Sequence, residues 1–342
     1  MSAVTVSLNF MPAFYHKHTG VTYGEAYYFD PEYRAQVECI EAAFLHEALG
    51  RYGVGSAQPQ PSPTLVIQPI DLIKLTQGAK LHCPPDATLE TWGHPWAALT
   101  LDEIARLDPQ DAAQHPVIDR LLRQYRDMTR RYGDDADLLG LKSGLMNIHA
   151  PFTAAHQLYG EELFFLMADE PEAAQRLFGK IWEIYRAIFA RLTAELGVPA
   201  PTRLQLGDCS ASLLSPATYR TVVLPTNQTL AAGFATAGYH SCGASTHLLP
   251  EFAKIAHVVA IELGPGTDLA AAVAQLPRVA MRPLIDPLVM RDGAPEQVET
   301  LIRDTLHATA PAPATTLCAW SFDRETPLGN VEALYQTVAA CG

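Results

Sequence analysis

The chain is short of positive charge, short of cysteine, and has no long apolar run. Lys and Arg number 24 against 37 Asp and Glu, a net charge of −13 over 342 residues. Such a balance disfavours nucleic acid and anionic membrane surfaces, which bind through clustered cations. No stretch approaches the about 18 uninterrupted apolar residues of a membrane-spanning helix. The N-terminus, MSAVTVSLNFMPAFYHKHTG, lacks a basic segment followed by an apolar one, so no signal peptide is expected. Six cysteines in so long a chain do not make a disulfide framework. A reduced, cytoplasmic, globular protein is the expectation. The glycine fingerprint GxGxxG after an early strand is also missing, which disfavours a dinucleotide-binding fold.

What is present is a large apolar fraction, 48%, with only 18% charged residues. That composition supports a sizeable core and argues against disorder. The first third is irregular and aromatic, with turn signals at Gly20, Gly24 and Asp30-Pro31. QVECIEAAFLHEALGRYG (36–53) has helical spacing and ends at a glycine. GSAQPQPSPT (55–64) reads as a surface loop, followed at once by the strand-like TLVIQPI. Residues 118–132 and 160–196 are amphipathic and helical.

From residue 200 the pattern becomes regular. Short apolar runs, RLQLGDC (203–209), GYHSCG (238–243), HVVAIELG (257–264), RVAMRPLID (278–286) and TTLCAWS (315–321), alternate with helical stretches. Connections of this length suit parallel crossovers. Two or three earlier units fit TLVIQPI and DLLGLKSGL. A (β/α)8 TIM barrel is therefore the expected fold, an α/β single domain over 1–342 with residues 1–60 as an irregular, partly helical N-terminal extension.

Asp208, His240, Cys242, Glu262, Asp286 and Cys318 each stand at or near the end of a strand-like run. In a (β/α)8 barrel that face holds the active site. His240 and Cys242 are two apart, so on a strand they aim at one point. Zinc takes thiolate, imidazole and carboxylate ligands. Cys318, on the last strand, can add a third ligand and Glu262 a displaceable fourth. The bland alternative is packing, since free cysteine is among the most buried residue types. Asp208 fits either a site role or a strand-end turn, Asp286 a rim position or a turn before Pro287. His149, after a strand-like run, can face the mouth or serve as a satisfied structural histidine. The other cysteines, Cys209 among them, read as ordinary thiols.

Several segments together resemble the uroporphyrinogen decarboxylase superfamily. PFTAAHQLYGEELFFLMADEPEAAQRLFGKI (151–181) resembles its helical stretch. GDCSASLLSPATYRTVVLP (207–225) is similar to its Asp-x-x-Ser…SP-x-x-Tyr…P segment. GYHSCG matches the HxCG of its methylcobamide:thiol methyltransferase branch. LIDP (284–287) resembles its N-x-D-P turn, with Leu284 and Ile285 in place of the asparagine. LCAWSFDRETPLGNVEAL (317–334) resembles its C-terminal cysteine followed by TP-x-x-N.

The resemblance covers most of 140–342 and implies a barrel with zinc on His240, Cys242 and Cys318. Glu262 fits the position of the glutamate ligand in the related cobalamin-independent methionine synthases. From their places at strand ends, Asp208 and Glu262 are the candidate catalytic groups, and Asp286 and His149 the candidate corrinoid-binding ones. The implied activity is methyl transfer between a corrinoid and an acceptor, with a thiol as the first expectation. No DxHxxG-type cobalamin segment is present, so methylcobalamin or a separate corrinoid protein would carry the methyl group. The decarboxylase branch holds porphyrinogen carboxylates with N-terminal arginines. Here His16, Lys17 and His18 stand in that segment with Arg34 alone, which argues against a porphyrinogen substrate. A decarboxylase for a smaller acid and a non-catalytic corrinoid- or tetrapyrrole-binding protein are the competing expectations.

Overall fold

A computed structural model describes residues 4–65 and 67–341. Val66, inside the expected strand TLVIQPI, lies outside the described residues, as do the first three residues and the last. The strands are β1 (Val4–Phe10), β2 (Thr64–Leu65), β3 (Lys80–His82), β4 (Glu90–Trp92), β5 (Asp137–Leu138), β6 (Leu145–His149), β7 (Arg203–Gly207), β8 (Thr236–Ser241), β9 (Val258–Leu263), β10 (Ala280–Pro283) and β11 (Thr315–Phe322). The chain forms two compact units. One comprises residues 1–62, 83–89 and 261–342, the other residues 63–82 and 90–260.

In the first unit the strands are ordered β1-β11-β10 and on to the end of β9. β1 pairs in parallel with β11, Val4 opposite Thr315 and Val6 opposite Leu317. From residue 4 to 60 the N-terminal extension is a strand followed by helices, among them the helix expected over 36–53. VTVSLNF has the alternation of a strand, and its partner lies at the far end of the chain. The helices Pro12–Thr19, Glu25–Phe29 and Pro31–Leu49 follow. Gly20, at φ 76°, closes the first of these in the left-handed conformation that glycine adopts without strain. Asp30 caps the last, accepting from the backbone N–H of Glu32 at 2.9 Å, with Pro31 in the first turn. Phe10, Phe14, Leu49, Ile302, Leu317 and Phe322 belong to one buried apolar cluster, which joins this segment to the C-terminal strands and helices. The burial of these side chains, about 1.5–3 kcal/mol each, is what holds the N-terminal segment in place.

In the second unit β8, β7 and β6 are neighbours, and the β6–β7 and β7–β8 ladders are parallel. His149 is opposite Gly207, and Gly207 is opposite His240. That register brings the C-terminal ends of three strands level. β2 and β5 form a short parallel pair, and β3 and β4 an antiparallel one. Among the described residues the expected strand after residue 64 comprises Thr64–Leu65, and Pro69 starts the helix Pro69–Thr76. The 26-residue helix Pro171–Leu196 buries an apolar stripe of Leu177, Phe178, Ile181, Ile184 and Ile188. The β and α elements alternate as the sequence pattern from residue 200 predicts, in the (β/α)8 barrel class.

Candidate metal centre and cavity

The ends of β7 and β8 carry the chemistry. β8 alternates in burial, with Ala237, Tyr239 and Ser241 buried and Gly238 and His240 on its other side. Cys242 follows one residue past the strand and is exposed. The backbone N–H of Asp208 donates to the His240 carbonyl at 2.7 Å, extending the β7–β8 ladder past Gly207. The next residue, Cys209, then turns toward β8. Cys209, His240 and Cys242 each offer one ligand atom, and the three atoms lie within 4.8 Å of one another. Among the described residues this is the only group of three His, Cys, Asp or Glu side chains so arranged.

The two thiols are unequal. Hydrogen bonds from the Cys209 thiol and from His240 pull the Cys242 thiol down to about 4. The same bond to Cys242, together with burial, pushes the Cys209 thiol up. One thiolate is thus already favoured without a metal. Two sulfurs and an imidazole are the donor types zinc takes, and three protein ligands is the number found in catalytic zinc sites. The residues present fit the metal.

Cys209 also borders a cavity of about 420 Å³. His149, Thr153, Ser210, Lys74 and Trp92 are among its lining residues. Burial pushes His149 down to about 4, with His240 adding to the effect, so its imidazole is neutral at neutral pH. Lys74 is 6% exposed and donates to the Thr91 carbonyl at 2.6 Å. Burial lowers its pKa, and neighbouring Asp71 opposes the shift.

Asp208 itself is fully buried. Its Oδ1 accepts from the Thr153 hydroxyl at 2.9 Å. Its Oδ2 accepts from Asn227 Nδ2 at 3.0 Å and from the Tyr239 hydroxyl at 2.9 Å. Tyr239 in turn meets the Tyr219 hydroxyl at 2.8 Å, which accepts from Asn227 at 3.0 Å. Burial raises the Asp208 pKa against the pull of these donors. Thr153 also accepts from the Ser210 backbone N–H at 3.1 Å, so the network reaches the turn that carries Cys209. Asp208 thus ties Thr153, Asn227 and Tyr239 together behind the turn that carries Cys209.

The remaining sequence candidates sit in the other unit. Glu262 pairs with Arg282 at 2.7 Å. Cys318 is buried on β11, which pushes its thiol up to about 11. Asp286 caps the helix Pro287–Asp292, accepting from the Leu288 N–H at 2.8 Å. The N-terminal HKH is tied to protein. His16 bonds the Val21 carbonyl at 2.7 Å, Lys17 donates to the Arg324 carbonyl at 2.6 Å, and His18 stacks on Phe44. Cys209, read from the sequence as an ordinary thiol, is the side chain the fold adds beside His240 and Cys242, from its place immediately after the strand-end Asp208.

The parallel βα architecture with a thiolate–imidazole cluster beyond its strand ends defines a barrel-type protein with a candidate metal centre. The uroporphyrinogen decarboxylase (URO-D) family model matches residues 78–341, and the chain belongs to that family. No curated protein sequence matches it. Among solved structures, a methyltransferase from Methanosarcina mazei shares the fold. Its TM-score is 0.66 at 16% identity, covering 99% of this chain and 94% of that one. A B12-independent methionine synthase from Shewanella sp. W3-18-1, in complex with selenomethionine, matches with a TM-score of 0.47 at 10% identity, covering 99% of this chain and 98% of that one. Among the described residues, no helix is long and apolar enough to cross a membrane.

Proposed function

We propose that the protein is a zinc-dependent methyltransferase that moves a methyl group between a corrinoid and a thiol. The observation that carries this reading is the closeness of the Cys209, His240 and Cys242 ligand atoms beside a cavity that Cys209 lines. Zinc bound there would supply a substrate thiol in its thiolate form at neutral pH. The chain's own residues do the rest. Cys242, already favoured as a thiolate, keeps the cluster negative, and neutral His149 adds no opposing charge beside His240. Lys74, Thr153 and Ser210 give the cavity wall polar groups that orient a small acceptor. Asp208 holds the turn of Cys209 and Ser210 through Thr153. A corrinoid donor would supply the methyl group and keep the electron pair of the broken carbon–cobalt bond, and the acceptor's S–H proton would pass to solvent as the carbon–sulfur bond forms. The donor is free methylcobalamin or a separate corrinoid protein.

The test is the zinc content of the reduced protein and of the Cys209→Ala, His240→Ala, Cys242→Ala and Cys318→Ala variants. Loss of zinc with Cys209, His240 and Cys242 is the expected result. Loss with Cys318 but not Cys209 would return the ligand set to the one the sequence resemblance implies. Methyl transfer from methylcobalamin to a panel of thiols, followed by the corrinoid spectrum, then tests the reaction. A zinc-free protein that decarboxylates a small acid would overturn the proposal in favour of the family's other chemistry.

A further inference from the structure

The first unit holds a second cavity, of about 350 Å³, next to the end of β1. Tyr15, Tyr23, Tyr27 and Glu41 line it, with apolar residues such as Leu45 and Val54 completing the wall. None of these residues belongs to the cluster assigned to zinc. The tyrosines come from the helix Pro12–Thr19, the loop after it and the helix Glu25–Phe29, and Glu41 from the helix Pro31–Leu49.

Three features set the chemistry of a ligand. Glu41 is the only carboxylate among the lining residues, and no lysine, arginine or histidine is among them. Its one hydrogen bond among the described residues is a short one from the Tyr23 hydroxyl to Oε1, so Oε2 remains available. The Tyr23 and Tyr27 rings stand 4.8 Å apart at 68°, an aromatic corner. Burial also pushes Glu41 up to about 7, as expected of a carboxylate that lacks a cation. An anionic ligand would meet only like charge. A neutral ligand would give the Glu41 carboxylate no counter-charge and leave burial to favour its protonated form. A cation gains from both the carboxylate and the negative faces of the tyrosine rings.

We propose that this cavity binds a small organic ammonium ion, with Glu41 as its counter-charge and Tyr15, Tyr23 and Tyr27 as its aromatic wall. The experiment uses the whole protein and choline as the probe, read by isothermal calorimetry. The control ligand is the uncharged alcohol in which carbon replaces the quaternary nitrogen. Choline should bind at a single saturable site, and the uncharged isostere about tenfold or more weaker, the scale of one desolvated cation–π and charge contact. Glu41→Gln keeps the hydrogen bond from Tyr23 and should weaken choline by a similar factor. Tyr27→Leu removes a ring while leaving the carboxylate, and should also weaken it. Failure of choline to bind, equal binding of the isostere, or unchanged binding to Glu41→Gln would each overturn the proposal. The isostere comparison needs no variant, so a variant that fails to fold does not blunt the test.

Discussion

Truncation of Asp208 is the perturbation whose cost follows most directly from the structure. The Asp208→Ala change removes the acceptor for three donors: the Thr153 hydroxyl, the Asn227 amide and the Tyr239 hydroxyl. Asp208, Thr153, Asn227 and Tyr239 are all buried, so water does not replace the lost acceptor. A buried donor left unmade costs about 1–3 kcal/mol. Relief of the buried carboxylate's own desolvation offsets part of the sum. Thr153 keeps the Ser210 N–H as a donor to its oxygen, but its own O–H is left without its acceptor. The net expectation is a loss of about 3–5 kcal/mol, comparable with breaking a buried polar pair. Against a total stability of about 5–15 kcal/mol this is severe.

Asp208→Asn is the control. Its amide nitrogen can face Thr153, whose oxygen accepts, while its oxygen still serves Asn227 and Tyr239. Its cost should be about 1–2 kcal/mol. Urea unfolding followed by circular dichroism and tryptophan fluorescence measures both, and a cycle with Tyr239→Phe isolates the pair. A loss below about 1 kcal/mol for Asp208→Ala, or equal losses for the two variants, would refute the account of the network.

Two further predictions concern other parts of the molecule. Glu41, raised from the usual carboxylate range to about 7, binds its proton more tightly in the folded chain than in the unfolded one. Its contribution is therefore most favourable below the unfolded value and is lost as pH rises through about 7, amounting to roughly 3–4 kcal/mol. Glu41→Gln should be the more stable protein at about pH 8, with the gap closing toward about pH 4. A constant difference in urea midpoint across that window would contradict it. The glycines around His240 and Cys242 should also differ. A Cβ at Gly243 would meet Ser212 Cβ at 2.6 Å, whereas one at Gly238 would meet Gln205 Oε1, the far end of a flexible side chain. Gly243→Ala should cost about 1–3 kcal/mol and lower zinc retention, and Gly238→Ala much less, as thermal melts and metal content would show.

What could be read from the sequence divides along a physical line. β7 to β11 were legible because each is a short apolar run between turn residues, and the period of two within a strand told that His240 and Cys242 share a side. β1 was not, because seven alternating residues acquire meaning only when β11 pairs with them. Cys209 shows the same limit within the site. It stands past the end of β7, where the strand period no longer dictates direction. Its orientation comes from a turn closed by Ala211 N–H to the Asp208 carbonyl at 3.1 Å and by Ser210 N–H to Thr153, a residue on another helix.

Asp208 was visible as a strand-end carboxylate, but its burial depends on Tyr239 from β8, Asn227 from the helix Leu224–Ala232, and Thr153 from the helix Pro151–Tyr159. Glu41 looked like any helical glutamate in ECIEAAF until Tyr23 packed over it. Residues whose roles are set inside one element were legible, and those whose roles depend on a second element were not. The chemistry of this chain gathers in the latter, because a ligand site needs groups from several elements at once. That is why Cys209 reaches the other two side chains from a turn that no local pattern announces, while His240 and Cys242 come from a strand that announces itself.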